Sequence, residues 1–409
     1  MSWKTKILIF VGIITAVMVV QFFMPGTGQG HTIRMEATGY GVPYAFDANP
    51  SFHSNNSRFY FVVTREGIQY RPSAGDARWT HSFNLTQPVT VARGDFIAVG
   101  EKSGGRRVDV FSANDGFLFR AEFNDPVVMF SINETGILAA VVQYATGRYG
   151  IYAHNQQSVR RGEVIYFQRI TDDLHFPTAV EVSADGSYIA IAIVDLNVRM
   201  DTTVQFRFVN RADARAAGVE EVDGLFASEI FSGQLVYGMR FMANNRFVVA
   251  TTSQIAGFQL VPQAYAVTQV RPQWTRSLQN ELSHIAFYGN RHLVYVTGDM
   301  HLGMAEGSPV GTVYMVNADG TETGTFSLGR RATHLSVGHG ALLVGSDRNF
   351  HAVDMRGNHL WEHNSLHYTR DMIFLDDTDT VLIAAANRAD VHARRRVRID
   401  ELESLILGD

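Results

Sequence analysis

The chain has 409 residues, of which 46% are hydrophobic and 18% charged, so it is long enough for a large core and too apolar for a disordered or collagen-like polymer. It has no Cys, which excludes disulfides, thiolate nucleophiles, Cys-ligated zinc and iron–sulfur clusters. Setting aside Lys4 and Lys6, 33 Lys and Arg face 40 Asp and Glu, a balance that argues against nucleic acid as a partner.

The N-terminus comes first. From Ile7 to Met24 the sequence ILIFVGIITAVMVVQFFM carries no charge, follows Lys4 and Lys6, and is followed by PGTGQG. A helix needs about 17–25 apolar residues to span a hydrocarbon core, so residues 7–24 are expected to cross a membrane. Gln21, Phe22, Phe23 and Met24 stand where a cleaved signal would carry small residues, which favours an uncleaved anchor. The two lysines place residues 1–6 in the cytoplasm and the rest outside the cell membrane, after a linker at 25–31.

Beyond the linker one phrase recurs: a short apolar strand, a turn, a stronger apolar strand, a loop, an aromatic strand, a second turn and a polar strand. The strongest strand of each unit begins at Phe59, Phe96, Leu138, Ile189, Phe247, Leu293, Leu342 and Val381, a mean spacing of 46 residues. A period of this size, with turn signals every 8–12 residues and little helical periodicity, predicts an all-β propeller of four-stranded antiparallel blades. The count points to eight blades over residues 32–400, with seven as the alternative, and a short C-terminal tail at 401–409. Turn phrases rich in Asn, Asp and Gly, such as SINETG, SADG, ANDG and NADG, supply the positive φ that tight hairpins need. Trp79, Trp274 and Trp361 fall at one repeat position on an outer strand, where packing of blade against blade is the expected role.

The glycine-turn-tryptophan phrase is similar to the blades of quinoprotein-like and WD40-like propellers. With the N-terminal anchor and the line FPTAVEVSADGSYIAIAIVD, the chain resembles a family of uncharacterised single-pass propeller proteins of Gram-positive bacteria. The resemblance implies a fold and an extracytoplasmic place without implying a reaction. No quinone or calcium signature of the dehydrogenases is present to carry over, and no cofactor or metal is expected.

Closure of the ring is the next expectation. The last unit supplies three strands, 370–375, 381–386 and 390–399. Residues 32–37, with Ile33, Met35 and Ala37 alternating against polar neighbours, suit the missing fourth strand and would remove an exposed sheet edge.

Motifs for chemistry are sparse. There is no Gly-x-Ser-x-Gly elbow, His-Glu-x-x-His, P-loop or EF-hand loop. The run Asp376, Asp377, Thr378, Asp379 lacks the later bidentate Glu of a calcium loop and reads as a hairpin turn. The run Arg394, Arg395, Arg396, Arg398 reads as a charged outer strand. Glu181, Arg240, His284, His334 and Asp371 recur near the start of first strands and are candidates to line the central channel. The connections at 101–106, 143–150, 195–202 and 298–311 are long and fall between second and third strands, so they should share one face. Their Arg106, Tyr144, Arg148, Tyr149, Arg199, His301 and Met304 are residue types favoured at interfaces. These readings predict a non-catalytic binding or scaffolding module of the cell envelope, whose partner is an envelope protein or polymer. The alternative is a glycan hydrolase or lyase using Glu181, His284 and His334 at the channel.

Overall fold

The computed structural model describes residues 31–44, 49–55, 58–197, 199–210, 224–263, 266–298, 311–346, 348–365 and 368–398. The expected membrane span at 7–24, residues 25–30 of the linker, the tail at 401–409, His301 and Met304 lie outside the described residues, while His31, expected in the linker, begins a strand. Among the described residues no helix is long and apolar enough to cross a membrane.

Eight four-stranded antiparallel sheets follow one another along the chain. Blades 1 to 7 begin with strands Ser51–Ser54, Pro88–Arg93, Val127–Ile132, His175–Val182, Val236–Met242, Leu282–Tyr288 and His334–Gly338. Each runs in simple order to its fourth strand. Blade 8 takes Asp371–Phe374, Thr380–Ala384 and Arg388–Arg398 and is completed by His31–Pro43, so the count is eight and not seven. The eight strong strands read from the sequence are the second strands of the eight blades.

Residues 39–391 form one compact unit. Its core is a series of sandwiches between neighbouring blades. Val141, Ile151, Ile189 and Ile191 interleave between blades 3 and 4, and Val249, Phe247, Phe206 and Val204 between blades 4 and 5. Residues such as Ile97, Val248 and Leu342 are fully buried. Alternate residues of a second strand face opposite neighbouring blades, so both faces are apolar and these strands read as unbroken hydrophobic runs. Burial of one such side chain stabilises the fold by roughly 1.5–3 kcal/mol.

The sandwich that closes the ring differs in detail from expectation. Val42, Ala389 and Val391 of blade 8 pack with Phe52, Tyr60 and Val62 of blade 1. The backbone N–H of Tyr44 donates to Asn387 O at 2.9 Å, and a Cβ at Gly41 would lie 2.7 Å from Ala389 O. The buried anchor is therefore Val42, while Ala37 of the predicted segment is exposed. The strand extends six residues beyond Ala37 to Pro43, because its apolar contact with blade 1, through Val42, lies at that end. A second unit comprises residues 1–38 and 392–409, and its described parts, 31–38 and 392–398, are extended strand.

Two outer-strand tryptophans repeat one contact. Trp79 and Trp274 donate their indole N–H to Ala113 O and Ala318 O of the following blade, each at 3.1 Å. Trp361, on the fourth strand of blade 7, donates instead to Thr378 O at 2.8 Å. The acidic run is a hairpin turn, as expected: Asp379 N–H donates to Asp377 Oδ1 at 2.8 Å, and Asp376 Oδ2 accepts from Ser73 Oγ of blade 1 at 2.8 Å. One element was not legible in the sequence: a short helix, Gln156–Arg161, with a capping box between Asn155 and Ser158 and a left-handed Gly162 as its C-cap.

Candidate functional site

The inner wall is built from the first strands, which neighbour one another around the ring. All five channel candidates, Glu181, Arg240, His284, His334 and Asp371, stand on these strands. They gather into separate groups. On the side of blades 2 to 5, Glu181 is 6% exposed, accepts from Ser131 Oγ at 2.8 Å and faces Arg93 Nη2 at 3.6 Å. Arg240 donates to Glu134 Oε1 at 3.0 Å, and its guanidinium lies 5.6 Å from the centre of the Phe287 ring. Burial pushes the Glu181 carboxyl upward against the opposing pull of Arg93 and Arg240. Burial, with the charge of Arg93, likewise disfavours the cation at Arg240. Two guanidinium and two carboxyl groups thus lie together with their formal charges cancelling, each supplied by a different blade.

On the side of blades 6 to 8, His334 Nε2 lies 2.7 Å from Met372 O and Nδ1 lies 3.4 Å from Asp371 Oδ1. The contact with a carbonyl requires a proton on Nε2, while Nδ1 faces the Asp371 carboxyl at ion-pair distance. Burial raises the Asp371 carboxyl while His334 lowers it. His284 is held below the usual imidazole range by burial and then by the neighbouring His334. A third contact joins His53 Nε2 to Thr90 Oγ1 at 2.7 Å, where burial and then Arg93 lower the imidazole to about 4.

Sequence reading missed Arg93, Ser131, Glu134 and His53. Arg93 and Ser131 occupy first strands at positions that repeat alignment could have reached, whereas Glu134 belongs to a turn phrase whose hairpin role masked it.

The connections between second and third strands carry the other candidates. Arg106 lines a cavity of about 370 Å³ with Glu101, Arg107 and Phe123. Tyr144 lines an adjoining cavity of about 440 Å³ with Phe123, Tyr152 and Val164. Both cavities share Glu122 and Phe123, so they adjoin there: the one at Arg106 is walled by blade 2 and Leu85, and the one at Tyr144 is the groove between blades 2 and 3. Tyr144 Oη and Tyr152 Oη are 2.9 Å apart, and the Arg169 guanidinium lies 5.3 Å from the centre of the Tyr144 ring. Burial, with the Tyr144 hydrogen bond, raises the Tyr152 hydroxyl well above its ordinary range. Arg148 is exposed and paired with Asp173 at 2.7 Å, and Arg199 sits in a turn with φ 45°.

Tyr149 corrects the sequence reading. It begins a third strand, is buried between blades 3 and 4, and its hydroxyl accepts from Gln143 at 3.2 Å. It belongs to the core because the strand starts two residues earlier than the loop at 143–150 allowed.

The family described as "Family of unknown function (DUF5711)" matches residues 54–391. No curated protein matches the chain. Solved propellers are similar in fold. BamB from Moraxella catarrhalis is 11% identical, with a TM-score of 0.52 over 88% of this chain and 100% of its own. Sqt1 from Chaetomium thermophilum, solved bound to the N-terminus of ribosomal protein L10, is 12% identical, with a TM-score of 0.55 over 87% and 99%. The computationally designed protein Ika8 is 14% identical, with a TM-score of 0.54 over 86% and 97%.

Proposed function

We propose, for a chain that belongs to the DUF5711 family of unknown function, the role of a membrane-anchored extracytoplasmic propeller that binds an envelope protein or polymer without transforming it. The observation that carries this reading is the pair of cavities that adjoin at Glu122 and Phe123, of about 370 and 440 Å³, with Arg106 and Tyr144 in their respective walls. Aromatic rings and arginines beside a preformed concavity supply contact area at low ordering cost. The charged groups of blades 2 to 5 on the inner wall are already paired with one another, which suits a wall more than a site. Sqt1, a propeller solved with a protein segment bound, is consistent with this use of the fold. Anchoring rests on the uncharged run Ile7–Met24 behind Lys4 and Lys6.

The test joins capture to topology. Protease added to intact protoplasts should digest the propeller, and its survival until the membrane is broken would reverse the orientation. Detergent extracts of the envelope passed over the immobilised chain should yield one component that is lost when Arg106 and Arg148 become Ala and Tyr144 becomes Ser. Substitution of Asp115, Asp185 and Asp319, in turns at the opposite ends of the strands, should leave capture intact.

A second reading is favoured by the His334–Asp371 pair, an imidazole facing a carboxyl, the two group types that acid–base cleavage of an envelope glycan would use. Turnover of peptidoglycan fragments abolished by Asp371→Asn would replace the binding reading with this one.

A further inference from the structure

Away from both the channel and the groove, the outer half of blade 7 brings three potential metal ligands onto one face. His351 lies on the third strand, Asn349–Asp354, and His359 and Glu362 on the fourth, His359–Asn364. His351 pairs across the strands with Glu362, and Val353 with His359. Residues three apart on a regular strand point to opposite faces, so His359 and Glu362 should diverge. A bulge between Ala352 and Val353 inserts Leu360 unpaired and turns the two side chains to the same side. Comparable irregularities occur between third and fourth strands in blades 2, 4, 5 and 6. Blade 7 thus uses a recurrent feature of the repeat to assemble the cluster.

The distances match a metal. His351 Nδ1 and His359 Nε2 are 3.3 Å apart. Two nitrogens each about 2.0–2.1 Å from one tetrahedral zinc ion stand roughly 3.3–3.4 Å apart. One ligand atom from each of the three residues lies within 4.8 Å of the others. The surroundings orient this set. Glu362 Oε1 accepts from Asn349 Nδ2 at 2.7 Å and Asn364 Nδ2 at 3.0 Å, which fixes the carboxylate and leaves Oε2 without those bonds. The Phe326 ring of blade 6 stacks on His359 at 5.9 Å and 11°, and lies 5.5 Å from His351. Metal ligands are commonly held by such outer partners.

We propose that His351, His359 and Glu362 bind one zinc ion, with a fourth coordination position open to solvent. Two imidazoles and one carboxylate are the borderline donors zinc prefers, and three protein ligands are the set found where zinc keeps an exchangeable position.

The test uses the untagged full-length chain in detergent, titrated with Zn²⁺ alone by calorimetry, with Co²⁺ as a spectroscopic stand-in. One zinc per chain and the visible bands of tetrahedral Co²⁺ are expected. His359→Ala and Glu362→Gln should abolish both, and Asn349→Ala should weaken zinc by about 10-fold or more through loss of orientation. His175→Ala, at an imidazole 3.3 Å from Asp195 Oδ2, should change neither readout. Circular dichroism of the metal-free variants should match the parent; a variant that does not match is replaced by His359→Gln, which keeps the side-chain volume closer. Absence of saturable zinc binding by the parent overturns the proposal, and so does binding that persists in both His359→Ala and Glu362→Gln.

Discussion

The inner wall and the outer edge of blade 7 hold similar side chains put to opposite uses. On the wall, Glu181, Arg93, Glu134 and Arg240 come from separate stretches of the chain and balance charge with charge in a buried setting. At the edge, His351, His359 and Glu362 come from one hairpin, lie partly in solvent and contain no cation of their own. The contrast teaches that a polar cluster completed by its own members acts as structure, while one made only of donors to a cation is completed from outside. Burial sets the difference, since an unpaired charge is costly on the wall and tolerable at the edge.

The largest effect expected to sharpen this contrast is Glu181→Ala, which removes the counter-charge of Arg93 and leaves Arg240 with Glu134 alone, and should cost roughly 3 kcal/mol in urea unfolding. Glu362→Gln at the edge should cost less than about 0.5 kcal/mol in the absence of metal. A reversal of that order would break the comparison.

Next come glycines on the third-to-fourth-strand turns. A Cβ at Gly320, with φ 86°, would lie 2.5 Å from Trp274 Cγ, whereas one at Gly116, with φ 75°, would clear Trp79 at 3.6 Å. Gly320→Ala should lower stability by about 2–3 kcal/mol and Gly116→Ala by about 1, measured by thermal melting. Equal losses would mean that ring packing at the rim contributes little.

The inner wall should also answer to pH. His53 has its imidazole lowered from 6.5 to about 4, so the unfolded chain takes up the proton first. Its stabilising contribution is present above about pH 6.5 and is lost as the pH falls toward 4, a change of about 3 kcal/mol that His53→Gln should remove. Glu181 and Asp371, raised by burial, act in the other sense: their contribution is present below the ordinary carboxyl range and is lost as the pH rises through their folded values. Glu181→Gln should flatten that second slope and leave the first.

The smallest effect belongs to the loops. Arg106→Ala should change stability by less than about 0.5 kcal/mol while weakening capture at the cavity it lines. Loss of capture through Asp371→Asn instead would move the binding function from the groove to the wall.

The sequence by itself determined the repeat, because second strands buried on both faces must be continuously apolar and the turns between them need Asn, Asp or Gly at positive φ. It also placed Glu181, Arg240, His284, His334 and Asp371 on first strands, since a position in a repeat fixes a position in a ring. It did not show which of them meet, because Arg240 and Glu134 are 106 residues apart and join only when blades 3 to 5 stand side by side. Tyr149 escaped for a local reason: a loop boundary shifted by two residues separates an exposed ring from a core one. Only the tertiary structure decided the two concavities and the edge cluster. Blades 2 and 3 must pack before the cavity at Tyr144 forms and adjoins that at Arg106 through Phe123, and a single unpaired residue, Leu360, must bulge before His359 turns to the side of Glu362. Strand periodicity predicts the opposite face for that histidine, and backbone pairing between strands overrules it.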